Sequence, residues 1–194
     1  MVSVLPDSIL FTKSVVFNPV RVEGRRIVAG YANVADVVDS QNEKVTMDAL
    51  TRSWAKFSSN PKFCVSQLFH TNVPIASILL DAIVDAEGIT HKSGMDSRGL
   101  YIVAEVRNDI KIANDVWKSI QLGKISGFSI GGEYLTPPVT ECIAGKCHSV
   151  VNDIELHEVS IVDSPANKVS LFNVLKNDTL SKLGELTASI KDSL

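Results

Sequence analysis

The stretch Ser126-Gly127-Phe128-Ser129-Ile130-Gly131-Gly132 places one serine between two large apolar residues, with glycines two positions away on either side. Side chains alternate between the two faces of a β-strand, so Phe128 and Ile130 share one face and Ser129 lies on the other. The pattern predicts a strand with a core-facing side and a nearly bare side that carries one hydroxyl. Such a strand gives an extended peptide room to reach a nucleophilic serine. A glycine-weakened strand with a solvent-facing serine fits the same pattern, and Ser126 is the rival serine.

The composition of the chain excludes several classes of protein. Its 194 residues are 45% hydrophobic and 21% charged, which suits one globular domain with a full core. The net charge is −3 and there is no basic run, so nothing indicates nucleic-acid binding. Met1–Leu10 lacks the pattern of a signal peptide, and no apolar run is long enough for a membrane span. The cysteines, Cys64, Cys142 and Cys147, are few and odd in number, which favours an intracellular protein over a disulfide scaffold.

The order of the predicted elements indicates an α+β protein, with a mostly antiparallel β-barrel of about seven strands and flanking helices. One helix is expected over Met47–Ser58, capped by Thr46, and another from Asn108 or Asp109 to Gln121, with Ile112 facing inward. We expect residues 1–175 to form the domain and residues 176–194 to form a C-terminal amphipathic helix or tail. Strands are expected over Leu10–Val20 and Arg25–Ala35 (as a hairpin or two adjacent strands), Cys64–His70, Ile75–Val84, Gly99–Val106, Ile125–Leu135 and Val150–Asp163, and Val169–Leu175 is expected to be a short strand or helix.

His70 is the candidate general base. A serine hydroxyl is a poor nucleophile until a base takes its proton, so a catalytic Ser129 requires a histidine. The chain has four histidines, and any of them alone is more often a surface or structural residue. His70 differs because it ends a predicted strand just before the turn Thr71-Asn72-Val73-Pro74, and rigid strand ends often carry functional side chains.

The segment Leu156–Asp163 contains the candidate acid. Regular alternation puts Glu158 on one face with the apolar Leu156 and with Ser160, and a carboxylate among apolar neighbours needs a partner. That partner is either an imidazole, which the carboxylate would orient, or a lysine or arginine in a structural ion pair. His157, on the opposite face, is the runner-up for the orienting role.

The segment Thr136–Ser149 is predicted to be a loop. It contains Cys142, Cys147 and His148, which form a weak zinc-binding pattern because no second pair of ligands is present. A structural or redox role for the cysteines is favoured. A metal-dependent hydrolase built on these residues is a minor alternative.

Taken together, these features resemble a known family. The run Phe128–Gly132, followed about thirty residues later by Leu156–Asn167, resembles the prohead (capsid maturation) serine proteases of tailed bacteriophages, in particular the HK97-type and XkdF-like branches. The ending Pro165-Ala166-Asn167 is part of the most specific match. The Asp39-Ser40-Gln41-Asn42 loop and His70 fall where that family has its characteristic loop and catalytic histidine.

The resemblance implies a herpesvirus-protease-like barrel and a serine endopeptidase, with Ser129 as nucleophile, His70 as general base and Glu158 as orienting acid. It implies cleavage of viral scaffold and major capsid proteins, and of the protease itself, inside the assembling procapsid in the host cytoplasm. We expect a homo-oligomer that needs no metal or cofactor and binds neither nucleic acid nor membrane. Related herpesvirus proteases use a histidine as third member, so His157 stays open. The alternative is a non-catalytic capsid-assembly or scaffold-binding protein on the same fold.

Overall fold

The computed structural model describes residues 20–21, 24–60 and 65–176, and the predicted tail at 176–194 lies almost wholly outside that part. Two helices lie in it, α1 at Met47–Ser58 and α2 at Lys111–Gln121. No helix among these residues has both the length and the apolar character to cross a membrane. The strands are β1 Val20–Arg21, β2 Ile27–Val34, β3 Glu43–Val45, β4 Val65–Leu68, β5 Pro74–Ile78, β6 Ile83–Val84, β7 Thr90–His91, β8 Gly94–Met95, β9 Gly99–Val106, β10 Gly127–Tyr134, β11 Val139–Ile143, β12 Lys146–Val151, β13 Ile154–Val162 and β14 Phe172–Val174.

The main sheet has the strand order β10-β13-β4-β5-β9-β2-β14, with β8 added beside β9. Its pairs are antiparallel except β13 and β4, which run parallel. The sheet curls until Gly127, at the start of β10, forms a single bridge to Leu171, just before β14. Because no continuous ladder joins these two edges within the described residues, the sheet is a curled half-barrel. The expected strand-rich α+β class is confirmed, and the expected closure of the barrel is wrong.

The N-terminal strands differ from the sequence-based expectation. β1 pairs with β6 in parallel, with Val20 opposite Ile83, and the rest of the predicted strand Leu10–Val20 lies outside the described residues. The predicted strand Ile75–Val84 is interrupted, because β5 ends at Ile78 and β6 begins at Ile83. The predicted strand Gly99–Val106 is confirmed as β9.

The two helices show where local sequence suffices and where it does not. α1 has the predicted bounds, and Thr46 caps it by accepting a hydrogen bond from the Ala49 N–H at 3.3 Å. α2 is capped neither by Asn108 nor by Asp109, because its N-cap position is occupied by Ile110. The Asp109 carboxylate instead accepts hydrogen bonds from the Arg107 guanidinium at 2.6 and 2.9 Å. Ile112 is 41% exposed, so its predicted inward orientation is wrong.

The main core lies between the curled sheet and the two helices. Phe128 is completely buried there and packs on Phe172, with 4.8 Å between the ring centroids. The pair fastens the first strand of the sheet to the last, since Phe128 lies on β10 and Phe172 on β14. Burial of the aromatic surface therefore stabilises the curl of the sheet. Other large, fully buried side chains of this core are Phe57, Ile75, Leu100, Ile102 and Ile161.

The segment predicted as a loop forms the hairpin of β11 and β12, which joins β3 in a separate sheet. Its turn residues Ala144 and Gly145 have φ values of 50° and 77°, as a two-residue type I′ turn requires. Cys142 and Cys147 face each other across the hairpin and form a disulfide, which is compatible with the structural or redox role favoured for these cysteines. Because a metal ligand must be a free thiolate, the disulfide removes the basis for the zinc alternative.

Replacement of Thr46 by alanine is expected to lower the free energy of unfolding by about 1 kcal/mol, because the Ala49 N–H loses its capping partner. Thr51→Ala is the matched control, since the exposed Thr51 hydroxyl only donates to the Met47 carbonyl of the same helix. Urea denaturation followed by circular dichroism measures both variants. Equal decreases in the free energy of unfolding of Thr46→Ala and Thr51→Ala would show that the Thr46 cap contributes no stability of its own.

Candidate active site

Ser129 lies in β10 with the orientation that alternation predicts. Phe128 is fully buried in the core, whereas Ser129 is 9% exposed and lines a cavity of about 610 Å³ on the opposite face. In the β10–β13 ladder Ser129 is paired with Ser160. The rival, Ser126, precedes the strand, and its carbonyl accepts the Phe172 N–H at 2.9 Å. Ser129 is therefore the serine of this stretch that faces the cavity.

Glu158 reaches the same face through a β-bulge that regular alternation does not predict. Gly131 is paired with Glu158 but Gly132 is paired with Leu156, so His157 is an extra residue on β13. Leu156 consequently joins Val159 in the core, and Glu158 lies on the opposite face. The predicted common face for Leu156 and Glu158 is thus wrong, because the bulge separates them.

His70 lies in the turn that follows β4, two residues beyond the end of the strand. Phe69 and His70 have φ values of 47° and 56°, a left-handed conformation that costs energy for residues other than glycine. Two hydrogen bonds to β13 hold the turn: Phe69 N–H donates to the Ile161 carbonyl at 3.2 Å, and His70 N–H donates to Ser160 Oγ at 3.0 Å. The strained turn is therefore fixed against the strand that carries Glu158.

His70 and Glu158 form the central contact of the site. His70 Nδ1–H donates to Glu158 Oε1, and the Ser160 hydroxyl donates to Glu158 Oε2. Ser160 is completely buried and also accepts the His70 backbone N–H, so it holds both partners at once. Sequence reasoning missed Ser160 as a site residue. Its place two residues after Glu158 on the same strand face was the available signal.

Ser129 and His70 both line the cavity, but no hydrogen bond joins their side chains. In structures without substrate, catalytic hydrogen bonds are often long and tighten when substrate binds. The structure thus brings His70 and Glu158 into contact and places Ser129 beside them in one cavity.

His157, the runner-up for the orienting role, points elsewhere. Its Nε2 lies 3.9 Å from Glu133 Oε1, and Glu158 is the residue that contacts His70. Glu133, Glu155 and His157 are the group of described residues whose side-chain atoms lie close enough to share a metal ion. Lys56 Nζ already pairs with Glu155 at 2.6 Å, which supplies that carboxylate with a cation.

The glycines around Ser129 make room for the protein's own side chains. A Cβ added at Gly131 would lie 2.1 Å from Glu158 Oε1, and one at Gly127 would lie 2.7 Å from the Pro165 ring. The sequence suggested that this bare face is kept free for a substrate backbone. At these two positions the space is instead occupied by Glu158 and Pro165, so Gly131 is a requirement of the His70–Glu158 contact.

The Glu158 carboxylate raises the pKa of His70 above its ordinary value of 6.5, chiefly through the hydrogen bond, while partial burial of the ring opposes the shift. A group whose pKa is higher in the folded state stabilises the fold most below its unfolded pKa. The stabilisation from the His70–Glu158 pair is therefore full below about pH 6.5 and disappears as the pH rises through the raised pKa of His70.

Gly131→Ala is expected to displace the Glu158 carboxylate and to move the pKa of His70 back toward 6.5, as Glu158→Gln should also do. NMR titration of the His70 ring protons measures the shift. Gly88→Ala is the control, because Gly88 lies in a turn with open space around it and tests a glycine substitution away from the site. An unchanged pKa of His70 in both site variants would contradict the assigned contact.

Comparison with known proteins identifies the family and shows a related fold. Residues 14–182 match the family model described as caudovirus prohead serine protease, peptidase family S78. The solved structure of the bacteriophage T4 capsid assembly protease gp21 has a similar fold, with a TM-score of 0.51 and 14% identity over 69% of this chain and 80% of that chain. A search of curated proteins returned no match. Because the family model spans most of the sequence, the chain belongs to the caudovirus prohead serine protease family.

Proposed function

We propose that the protein is a serine endopeptidase in which Ser129 is the nucleophile, His70 the general base and Glu158 the acid that orients the imidazole. The observation that carries the proposal is the His70–Glu158 hydrogen bond at the wall of the cavity that Ser129 lines. Serine, histidine and a carboxylate together make up one of the triads that catalyse acyl transfer, and membership in the family supports the same chemistry.

The mechanism follows from which imidazole nitrogen is engaged. His70 Nδ1 is bonded to Glu158, which leaves Nε2 to accept the proton of the Ser129 hydroxyl as Oγ attacks the scissile carbonyl. The resulting imidazolium lies against the Glu158 carboxylate, which stabilises its charge. His70 then protonates the leaving amine, and water hydrolyses the acyl-enzyme by the same steps. The proposed reaction steps use no metal or cofactor.

Ser160 acts as a positioning residue in this scheme. Its hydroxyl fixes the second Glu158 oxygen and also accepts the backbone N–H of His70. Because both partners are tied to one buried side chain, the imidazole is held in place before substrate arrives. Preorganised groups lower the barrier since they need not reorient during the reaction.

The substrates follow from the family and from the related phage protein. Membership in a family of prohead proteases supports a role in capsid maturation. We extend this to cleavage of scaffold and major capsid precursors, and of the chain itself within residues 176–194, inside the assembling procapsid. The homo-oligomer and the herpesvirus-protease-like relationship stay predictions of the same resemblance.

A non-catalytic assembly role is the second candidate, and one observation favours it. Ser129 and His70 line the same cavity, but no hydrogen bond joins their side chains in this structure. A protein that used the cavity only to hold a scaffold segment would need no such bond. The two candidates differ in what happens when the Ser129 hydroxyl is removed.

The first prediction is that the wild-type protein trims itself and cleaves a co-purified scaffold protein, whereas Ser129→Ala stays intact. Loss of any member of such a triad lowers the rate by several orders of magnitude, on the order of 10³-fold or more. Intact mass spectrometry over time measures the products. Ser126→Ala is the matched control, since Ser126 precedes β10, and it should behave as wild type. If Ser129→Ala trims itself as fast as the wild type, Ser129 is not the nucleophile. If neither the wild type nor any variant trims itself, the non-catalytic assembly role is favoured.

The second prediction concerns pH. His70 must be neutral to accept a proton, so kcat/KM should rise with pH and reach half its maximum above 6.5, the ordinary pKa that Glu158 raises. In Glu158→Gln the residual activity should be lower and its midpoint should move to lower pH. Stopped peptide-cleavage assays across the pH range give both profiles. A midpoint that does not move in Glu158→Gln would show that His70 is not the titrating base.

A further inference from the structure

The walls of the Ser129 cavity are acidic. Four carboxylate residues line it, and among the described residues its lining includes neither lysine nor arginine. A cavity rich in negative charge attracts a cation and disfavours an acidic ligand. The four residues are Asp39, Glu43, Glu133 and Asp163.

Glu43 is the carboxylate with the best-defined surroundings. The Tyr134 hydroxyl donates to its two oxygens at 2.7 and 2.9 Å, and this contact raises the pKa of Tyr134 to about 12. The phenol therefore stays neutral at physiological pH and acts as a hydrogen-bond donor to Glu43. Lys44, the next residue, pairs with Glu141 at 3.1 Å. Glu43 thus has a hydrogen-bond donor but no cation among the described residues.

Asn33 provides an independent sign that the cavity takes a ligand. It lines the same cavity, is 7% exposed, and its buried Oδ1 has no hydrogen-bond partner within the described residues. A buried acceptor without a donor costs about 1–3 kcal/mol, so such groups usually mark a place that something else completes. An unpaired acceptor and negative charge therefore lie at the same cavity, and together they complement a donor-rich cation.

We propose that this cavity binds a lysine or arginine side chain of the substrate peptide, with Glu43 as its counter-ion. The proposal rests on the proposed protease function and names the class of peptide that it would cleave. Lysine and arginine carry several donors and no acceptors, which matches a wall of carboxylates and an unpaired amide oxygen. Their alkyl stems suit the apolar part of the lining, which includes Val45 and Ile154.

The position of the basic residue follows from the strand. Tyr134 lies five residues after Ser129 on β10, a separation of about 17 Å at 3.4 Å per residue. A lysine side chain spans about 6 Å of that distance. An extended substrate whose scissile bond lies at Ser129 would therefore place the basic residue about three to five positions from that bond.

Cleavage of a mixed peptide library by the full-length protein, read by mass spectrometry, tests the proposal. The wild type should enrich lysine and arginine at one position, and Glu43→Gln should lower that enrichment about fivefold without changing preferences elsewhere. Glu43→Lys should instead prefer glutamate or aspartate there. Glu87→Gln is the control, because it removes the same charge from an exposed residue away from the cavity. Cleavage with no basic preference would overturn the inference and leave the protease function intact.

A binding measurement separates the inference from the activity. Fluorescein-labelled octalysine should bind Ser129→Ala by fluorescence anisotropy, and adding Glu43→Gln should weaken binding about fivefold while adding Glu87→Gln does not. Octaglutamate should not bind. If octalysine binding depends on Glu43 but the wild type cleaves nothing, the cationic site stands and the protease function fails. If binding is absent, or insensitive to Glu43, the inference is overturned.

Discussion

The Glu158 carboxylate is the group on which the rest of the site depends. It contacts the His70 ring with one oxygen and the Ser160 hydroxyl with the other. It can do so only because Gly131, opposite it in the ladder, has no side chain. The three residues that these contacts require lie in different parts of the chain: His70 in the turn after β4, Ser160 on β13 and Gly131 on β10. The carboxylate therefore ties the serine strand, the acid strand and the histidine turn into one unit.

The features that the sequence predicts well are local. The cap at Thr46 and the bounds of α1 follow from residues within one helix, and the structure confirms them. The opposite orientations of Phe128 and Ser129 follow from two-residue periodicity and are also confirmed. In these cases the information needed lies within a few residues, so propensity and alternation are sufficient.

The features that the sequence misses depend on contacts between distant segments. The parallel pairing of β4 with β13, which brings His70 to Glu158, joins residues about 90 positions apart, and no periodicity reports it. Ile112 points outward because the face of α2 that packs on the core runs through Ala113, Val116 and Ile120. The disulfide of Cys142 and Cys147 depends on a hairpin register that the exposed residues of β11 do not signal. In each case tertiary structure decides what local pattern leaves open.

The bulge at His157 has a consequence for comparing relatives of this protein. Removing that one residue would leave Leu156 directly before Glu158 and would restore regular alternation with both side chains on their present faces. The fold can therefore absorb one insertion or deletion here without moving the acid from its face. Sequence spacing between the serine and the acid can then differ by one residue between proteins that share the same site. An alignment that forbids a gap at this position would pair the acid of one protein with the bulge residue of another.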